Sequence, residues 1–346
     1  MTAAVDLAAL ASADVPAALV ERLRAARHVL AVSHEHPDAD TLGAVLGICA
    51  VVEALGGKAT PISSEPPPPL YAFMPGIERF RTDPDPAEAY DLLVLADCAS
   101  ASRVGGVAER HAALFAALPL VIIDHHASNT SNNATGEAHW IDANAAATCE
   151  MVALLAVRVG MSLDADGGTL AAALMAGIVM DTATFAHPNA TPRTLTVSAA
   201  LVAAGAPLSD ISRRLYRTKP DVQLRLFGRV LERLATSANR RVIWSTLHDA
   251  DFAATGTIAA HSEGIIDLLA QSETAEVAML FKEQPDGTTR LSVRTKAGGV
   301  DATALTGLYG GGGHTRAAGA SIAGGLDAAM ATVLPAAERL AAAVAR

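Results

Sequence analysis

The sequence predicts an α/β protein of two domains: an open, parallel-sheet N-terminal domain joined by helices to a smaller α/β C-terminal domain. Three observations carry this reading. At 346 residues the chain exceeds the size at which one hydrophobic core usually stops growing. In its first half, short runs of Val, Ile and Leu end in His or Asp and alternate with helical patterns, and such continuous runs suit strands covered on both faces. Toward the C-terminus the apolar runs are joined by a hairpin signal instead. The expected division is 1–205, 206–238 for the helical connection, and 239–346.

The runs are His28 to His34, Leu92 to Asp97, Leu120 to Asp124 and Gly177 to Asp181. The fourth reads either as a strand or as part of a buried helix, because the apolar stretch extends from Thr169 to Met180. Between the first two, Leu42, Val45, Leu46, Cys49 and Val52 repeat at helical spacing and Gly56-Gly57 closes the pattern. An open sheet of alternating strands and helices binds its ligands outside the C-terminal strand ends, where these His and Asp residues would gather. Ser63 to Pro69 holds four consecutive prolines and reads as a stiff connector. Ser209 to Leu234 reads as helix interrupted at Pro220. Beyond it, Arg241 to Leu247, Ala275 to Phe281 and Arg290 to Arg294 read as strands, with Asp286-Gly287 as a hairpin turn and a final helix from Leu326 to Val344.

Hydrophobic residues make up 51% and charged residues 18%, a composition that supports a large core. A net charge of -10 argues against coating long nucleic acid, yet leaves room for a small phosphorylated substrate in a locally positive cleft. Three widely spaced cysteines, Cys49, Cys98 and Cys149, fit neither a disulfide framework nor a zinc site and are expected to be buried thiols. No basic stretch precedes the first apolar residues and no run is long enough to span a bilayer, so cytoplasmic residence is expected.

The chemistry concentrates at the strand ends. His34, Asp38 and Asp40 fall where a strand turns into a helix through Pro37; alone, the pattern serves equally well as a capped turn or as metal ligands. Asp97 alone is an ordinary turn residue, and Arg103 six residues on is a surface residue or a phosphate contact. His125 and His126 follow a buried run directly and can take separate roles, one ligating and one facing substrate. Asp181 alone is explained by the end of an element. Together, four such motifs at the ends of apolar segments in one alternating domain would need four coincidences, and they point to a metal site. Nitrogen and oxygen donors without thiolate suit Mn²⁺, Mg²⁺ or Fe²⁺ better than structural zinc. Six donors suit two ions about 3.5–4 Å apart that share a carboxylate. Farther on, Gly310 to Gly313 with His314 and Arg316 reads as an anion-binding loop, with a helix expected just after it to offer its N-H groups to phosphate, and with Arg294 near by.

These residues, in this order from His28 to Gly319, resemble the DHH phosphoesterases with their DHH-associated C-terminal domain, within them the branch of nanoRNases, pAp phosphatases and cyclic-di-AMP phosphodiesterases. The resemblance implies that His34 and Asp38 hold one metal, that Asp40, His125 and Asp181 hold the other, and that Asp97 bridges them. It implies that His126 contacts the scissile phosphate, and that Arg103, Arg294, Gly311, Gly312, Gly313, His314 and Arg316 contact substrate. The chain departs from many members at Ala39 and at Thr41 to Ala44, which touches no presumed ligand.

The activity that the resemblance implies is hydrolysis of short oligoribonucleotides, pAp, or linear or cyclic di-adenylate by a hydroxide activated between two Mn²⁺ ions, in a homodimer. A manganese-dependent inorganic pyrophosphatase shares the N-terminal motifs but is expected to lack the glycine loop. A RecJ-type exonuclease is expected to be longer and less acidic. A non-catalytic nucleotide sensor is expected to lack a ligand.

Overall fold

The computed structural model describes residues 6–98, 103–126 and 138–344. The chain divides into two compact units, Met1–Thr218 and Lys219–Arg346.

The first unit begins with two helices, α1 (Leu7–Asp14) and α2 (Ala17–Ala25), and then alternates: β1 (His28–Val32), α3 (Ala39–Ala54), β2 (Lys58–Ile62), β3 (Leu92–Ala96), α4 (Gly106–Arg110), α5 (Ala112–Ala117), β4 (Leu120–Asp124) and the short β5 (Trp140–Ile141). The strands form one sheet in the order β2-β1-β3-β4-β5, every pairing parallel. β1 and β3 are buried along their whole length, as strands covered on both faces must be. The chain steps from β1 to β2 on one side and returns to β3 on the other. The sheet therefore has its topological switch point between β1 and β3, where the C-terminal strand ends leave a crevice.

Four helices complete the unit: α6 (Thr148–Arg158), α7 (Ala165–Thr182), α8 (Pro192–Ala203) and α9 (Leu208–Ser212), followed by a π-helical turn, Arg213–Arg217. Gly177 to Asp181 is thus helix, which corrects the strand reading. The backbone is left-handed at Asp166, Gly167 and Gly168, so the unbroken helix runs from Thr169, twice the length of a typical strand and rich in the helix formers Ala, Leu and Met. α3 approaches α6 and α7 closely because Gly43 presents no side chain; a Cβ there would lie 2.5 Å from the Ala173 carbonyl oxygen.

The second unit holds α10 (Asp221–Glu232), β6 (Ala235–Thr236), β7 (Val242–Leu247), α11 (Asp249–Thr255), α12 (Ile265–Leu269), β8 (Val277–Glu283), β9 (Thr289–Thr295), α13 (Ala302–Thr306), β10 (Gly312–His314), β11 (Ala317–Ile322) and α14 (Leu326–Val344). Its sheet runs β10-β11-β9-β8-β7-β6, with β7 and β8 parallel and the other pairings antiparallel. Val277, Met279 and Phe281 pack with α14 on one face, while Ala278 and Leu280 pack with α10 and α12 on the other. The glycine loop does not lead into a helix. Gly312 to His314 pairs instead with Ala317 to Gly319 in a tight hairpin, because Gly311 and Gly313 approach backbone where any Cβ would clash: 2.3 Å from the Gly319 oxygen and 2.5 Å from the Ala317 oxygen. The loop therefore has no helix N-terminus to offer an anion, which corrects that expectation.

Cys49, Cys98 and Cys149 are buried and form no disulfide among the described residues. No single described helix is long and apolar enough to cross a membrane.

Candidate metal centre

The crevice above β1, β3 and β4 gathers His34, Asp97, His125 and His126 from the strand ends, Asp38 and Asp40 from the start of α3, and Asp181 from the end of α7. Asp38 caps α3, its Oδ1 accepting from the N-H groups of Asp40 (2.9 Å) and Thr41 (3.1 Å). Capping and ligation are compatible, because one carboxylate oxygen serves the helix. Asp97 leaves β3 with φ of 57°, a left-handed conformation that Asp tolerates better than most residues and that turns its side chain off the strand line. α7 ends at Ala183, Thr184 and Phe185, all left-handed, and Tyr216 donates to the Met180 carbonyl (2.6 Å), one residue before Asp181.

Donor atoms fall into three overlapping groups, each within 4.8 Å: His34, Asp38 and Asp97; Asp40, His125 and Asp181; and Asp97, His125 and His126. Across them, His34 Nε2 lies 3.5 Å from Asp97 Oδ2, and His125 Nε2 lies 3.1 Å from Asp181 Oδ2, 3.4 Å from Asp97 Oδ1 and 3.9 Å from Asp40 Oδ2. The centre is enclosed: Asp40 is 0% and Asp97 2% exposed.

Most of the donors are held from behind. His34 Nδ1 faces the Glu35 carbonyl (2.7 Å) and His125 Nδ1 the Ala145 carbonyl (3.2 Å), so Nδ1 carries a proton in both rings and Nε2 is the ring atom left for a cation. Asp40 accepts from the N-H groups of Thr148 (2.7 Å) and Cys149 (2.9 Å). The Thr148 hydroxyl donates to Asp97 Oδ1 (3.0 Å). His126 faces Asp124 Oδ1 through Nδ1 at 2.8 Å.

The electrostatics are those of an anionic pocket short of cations. Burial, then the charges of Asp97 and Asp181, hold the carboxyls of Asp38 and Asp40 above the usual range, Asp40 far above. Burial alone would push His125 down, but contact with Asp181 and the charges of Asp40 and Asp97 outweigh it and raise it to about 10. At His34 the same opposition, burial against Asp97, the Glu35 carbonyl and Asp38, also resolves upward. His126 is raised chiefly by its bond to Asp124. The buried His125 Nε2 makes no hydrogen bond within the described residues although three carboxylates surround it. A buried ring nitrogen that faces three carboxylates without a hydrogen bond of its own fits a divalent cation.

The remaining candidates lie elsewhere. Arg103 is exposed, and its carbonyl accepts from the Glu35 N-H (2.8 Å), which ties it to the loop carrying His34. In the second unit, Arg294 extends from β9 with Nε on Asp267 (2.8 Å), and His314 is exposed on β10. Arg316 Nη1 donates to the carbonyls of Lys296 and Val300, so this side chain fastens the segment before α13. Sequence reasoning missed Thr148, Cys149, Asp124 as the partner of His126, and Gly177, whose missing Cβ would lie 2.5 Å from Asp40 Oδ1. Only Asp124, beside the two histidines, gave a local signal.

Two family models match the chain, the N-terminal domain of the DHH family across residues 28–178 and the DHHA1 domain across residues 239–343. The chain belongs to the DHH family. It is 31% identical over 305 residues to the bifunctional oligoribonuclease and PAP phosphatase NrnA of Thermus thermophilus, covering 88% of this chain and 87% of that protein. The protein of the same name from Bacillus subtilis is 27% identical over 294 residues, covering 84% and 87%. An exopolyphosphatase-related protein from Bacteroides fragilis shares the fold, with a TM-score of 0.82 at 20% identity over 95% of this chain and 98% of that one.

Proposed function

We propose that this chain is a metal-dependent phosphoesterase that hydrolyses short oligoribonucleotides and pAp. The observation that carries the reading is the position of Asp97. Its two oxygens face different donor groups, Oδ2 toward His34 and Oδ1 toward His125. Such a carboxylate can be shared between two cations, one with His34 and Asp38 and the other with Asp40, His125 and Asp181. The donor set, without thiolate, suits Mn²⁺ or Mg²⁺. When bound, such a pair supplies water activation near neutral pH and charge stabilisation on phosphoryl oxygens.

The chain's own groups supply the rest. Thr148 and Cys149 fix the Asp40 carboxylate through their N-H groups and Thr148 fixes Asp97 through its hydroxyl, so the donors are oriented before substrate arrives. His126, held at Nδ1 by Asp124 and with its pKa raised, is the group we assign to a phosphoryl oxygen. In the second unit, Arg294 and His314 are groups we assign to substrate binding, with Gly311 to Gly313 allowing close approach and Arg316 fixing the neighbouring loop. Arg294 is available for this, because Asp267 is 59% exposed and a pair of that kind exchanges readily for a phosphate. The NrnA relatives, named as oligoribonuclease and PAP phosphatase, support this substrate class.

The test is turnover of RNAs of two to five nucleotides and of pAp by purified protein, with Mn²⁺ and after chelation. Product release that stops on chelation and falls to background in Asp97→Ala is expected. Nucleotide binding without product, or wild-type turnover by Asp97→Ala, would overturn the reading.

A further inference from the structure

The turn between β5 and α6 touches the acidic centre at several points. Ala145 accepts from His125, Thr148 and Cys149 donate to Asp40, and Thr148 also donates to Asp97. Asn189 joins the Ala146 carbonyl (3.1 Å) to the carbonyl of Asp181 (3.2 Å). Yet Ala145, Ala146 and Ala147 bring no polar side chain with which to hold the turn in place.

The anchor comes from outside it. Glu150, in the first turn of α6 and 0% exposed, accepts from the Ala146 N-H (3.2 Å) through Oε2 and from Arg193 Nε (2.6 Å) through Oε1. Arg193, in the first turn of α8, pairs in charge with Asp142 through Nη2 (2.7 Å), outside hydrogen-bond geometry, and donates to Asp14 at the end of α1 through Nη1 (2.9 Å). Asp142 opens the same turn, its N-H donating to the Asp124 carbonyl (3.0 Å) and its Oδ1 accepting from Asn144 (2.9 Å). One guanidinium thereby fixes both ends of the segment 142–150, and its planar fork serves three directions at once.

We infer that Arg193 is a positioning residue for the acidic centre: by clamping Asp142 and Glu150 it holds the 142–150 turn so that Thr148 and Cys149 meet Asp40 and Thr148 meets Asp97. Arg193 itself touches none of the six donors. The inference rests on the metal reading of the centre. Its contrary is that Arg193 only neutralises the buried Glu150, and the two differ in what happens when both charges are removed. A buried ion pair replaced by apolar side chains of similar size commonly keeps its fold, whereas removing one partner strands the other.

The experiment measures Mn²⁺ affinity by calorimetry, and thermal stability by circular dichroism, for wild type, Arg193→Lys and the double variant Arg193→Met/Glu150→Met. Lysine keeps the charge but not the fork, and the double variant keeps the volume but not the clamp. Both are expected to bind Mn²⁺ about tenfold more weakly, the lower end of the loss seen when groups behind metal ligands are removed. The double variant, which leaves Asp142 and Asp14 without their cation, is expected to stay folded and to melt below wild type. A folded double variant with wild-type Mn²⁺ affinity would overturn the clamp. Wild-type protein that binds no Mn²⁺ would instead overturn the metal reading and the clamp with it.

Discussion

Asp40 is the residue on which the centre is most tightly built. It is wholly buried, takes two main-chain N-H groups, and rests on Gly177, where a Cβ would lie 2.5 Å from its Oδ1 and 2.4 Å from the Cys149 sulfur. Neither neighbour can yield, because Asp40 is pinned by the start of α6 and Cys149 belongs to it. Gly177→Ala is therefore expected to destabilise the protein by about 1–3 kcal/mol, as overpacking in a tight core does, and to abolish Mn²⁺ binding by displacing Asp40. Urea unfolding and calorimetry on the same preparation check both halves, and wild-type metal affinity in this variant would refute the second. A different signature belongs to Arg294, which the proposed function assigns to substrate binding. Arg294→Ala should raise KM about ten- to hundredfold, the loss of a charge-assisted bond of roughly 1.5–3 kcal/mol, with kcat little changed. A fall in kcat with KM unchanged would move Arg294 out of ground-state binding.

At the scale of elements, β4 offers a pH test. The Ile122 N-H donates to His139 Nδ1 (3.0 Å), which requires that nitrogen to be unprotonated, and burial holds the ring below its ordinary value. The unfolded chain takes up this proton first as pH falls. The stabilisation from the neutral ring is complete above about pH 6.5 and is lost as pH drops through the lower folded value. His34, His125 and His126 are shifted upward and act in the opposite sense, so the quantity to measure is a difference. Between pH 7.5 and 5.5 the urea midpoint of wild type should fall by more than that of His139→Gln, and parallel slopes would refute the assignment.

The legibility of these elements in the sequence has the same physical origin. β1, β3 and β4 stand out because a parallel strand buried on both faces is an uninterrupted apolar run, and His or Asp ending such a run is conspicuous. α7 is ambiguous because a helix buried all round loses its 3.6-residue period. The β10–β11 hairpin reads in sequence as a loop before a helix, since Gly and Ala carry almost no strand signal. The supports of the centre are illegible for another reason. Thr148 meets Asp40 across 108 residues and Arg193 meets Glu150 across 43, and no local pattern encodes contacts that only the finished fold creates.

For the whole molecule, the donor groups belong to the unit Met1–Thr218, whose core is separate from that of Lys219–Arg346. A cation that binds only the folded first unit stabilises that unit, by about 2.7 kcal/mol at a hundred times its dissociation constant. Binding must also compete with protons at a centre that holds His125 and the Asp40 carboxyl above their ordinary values, so the effect should grow with pH. Hydrogen exchange with and without saturating Mn²⁺ reads this segment by segment. Amides of β1, β3, β4, α3, α6 and α7 are expected to exchange roughly a hundredfold more slowly with metal where exchange proceeds through unfolding of the unit, the same 2.7 kcal/mol expressed as a rate. Amides of β7, β8 and β9 are expected to stay near their metal-free rates. Equal protection of both sets would mean that the chain opens as one body. Protection of neither would remove the metal centre from the first unit.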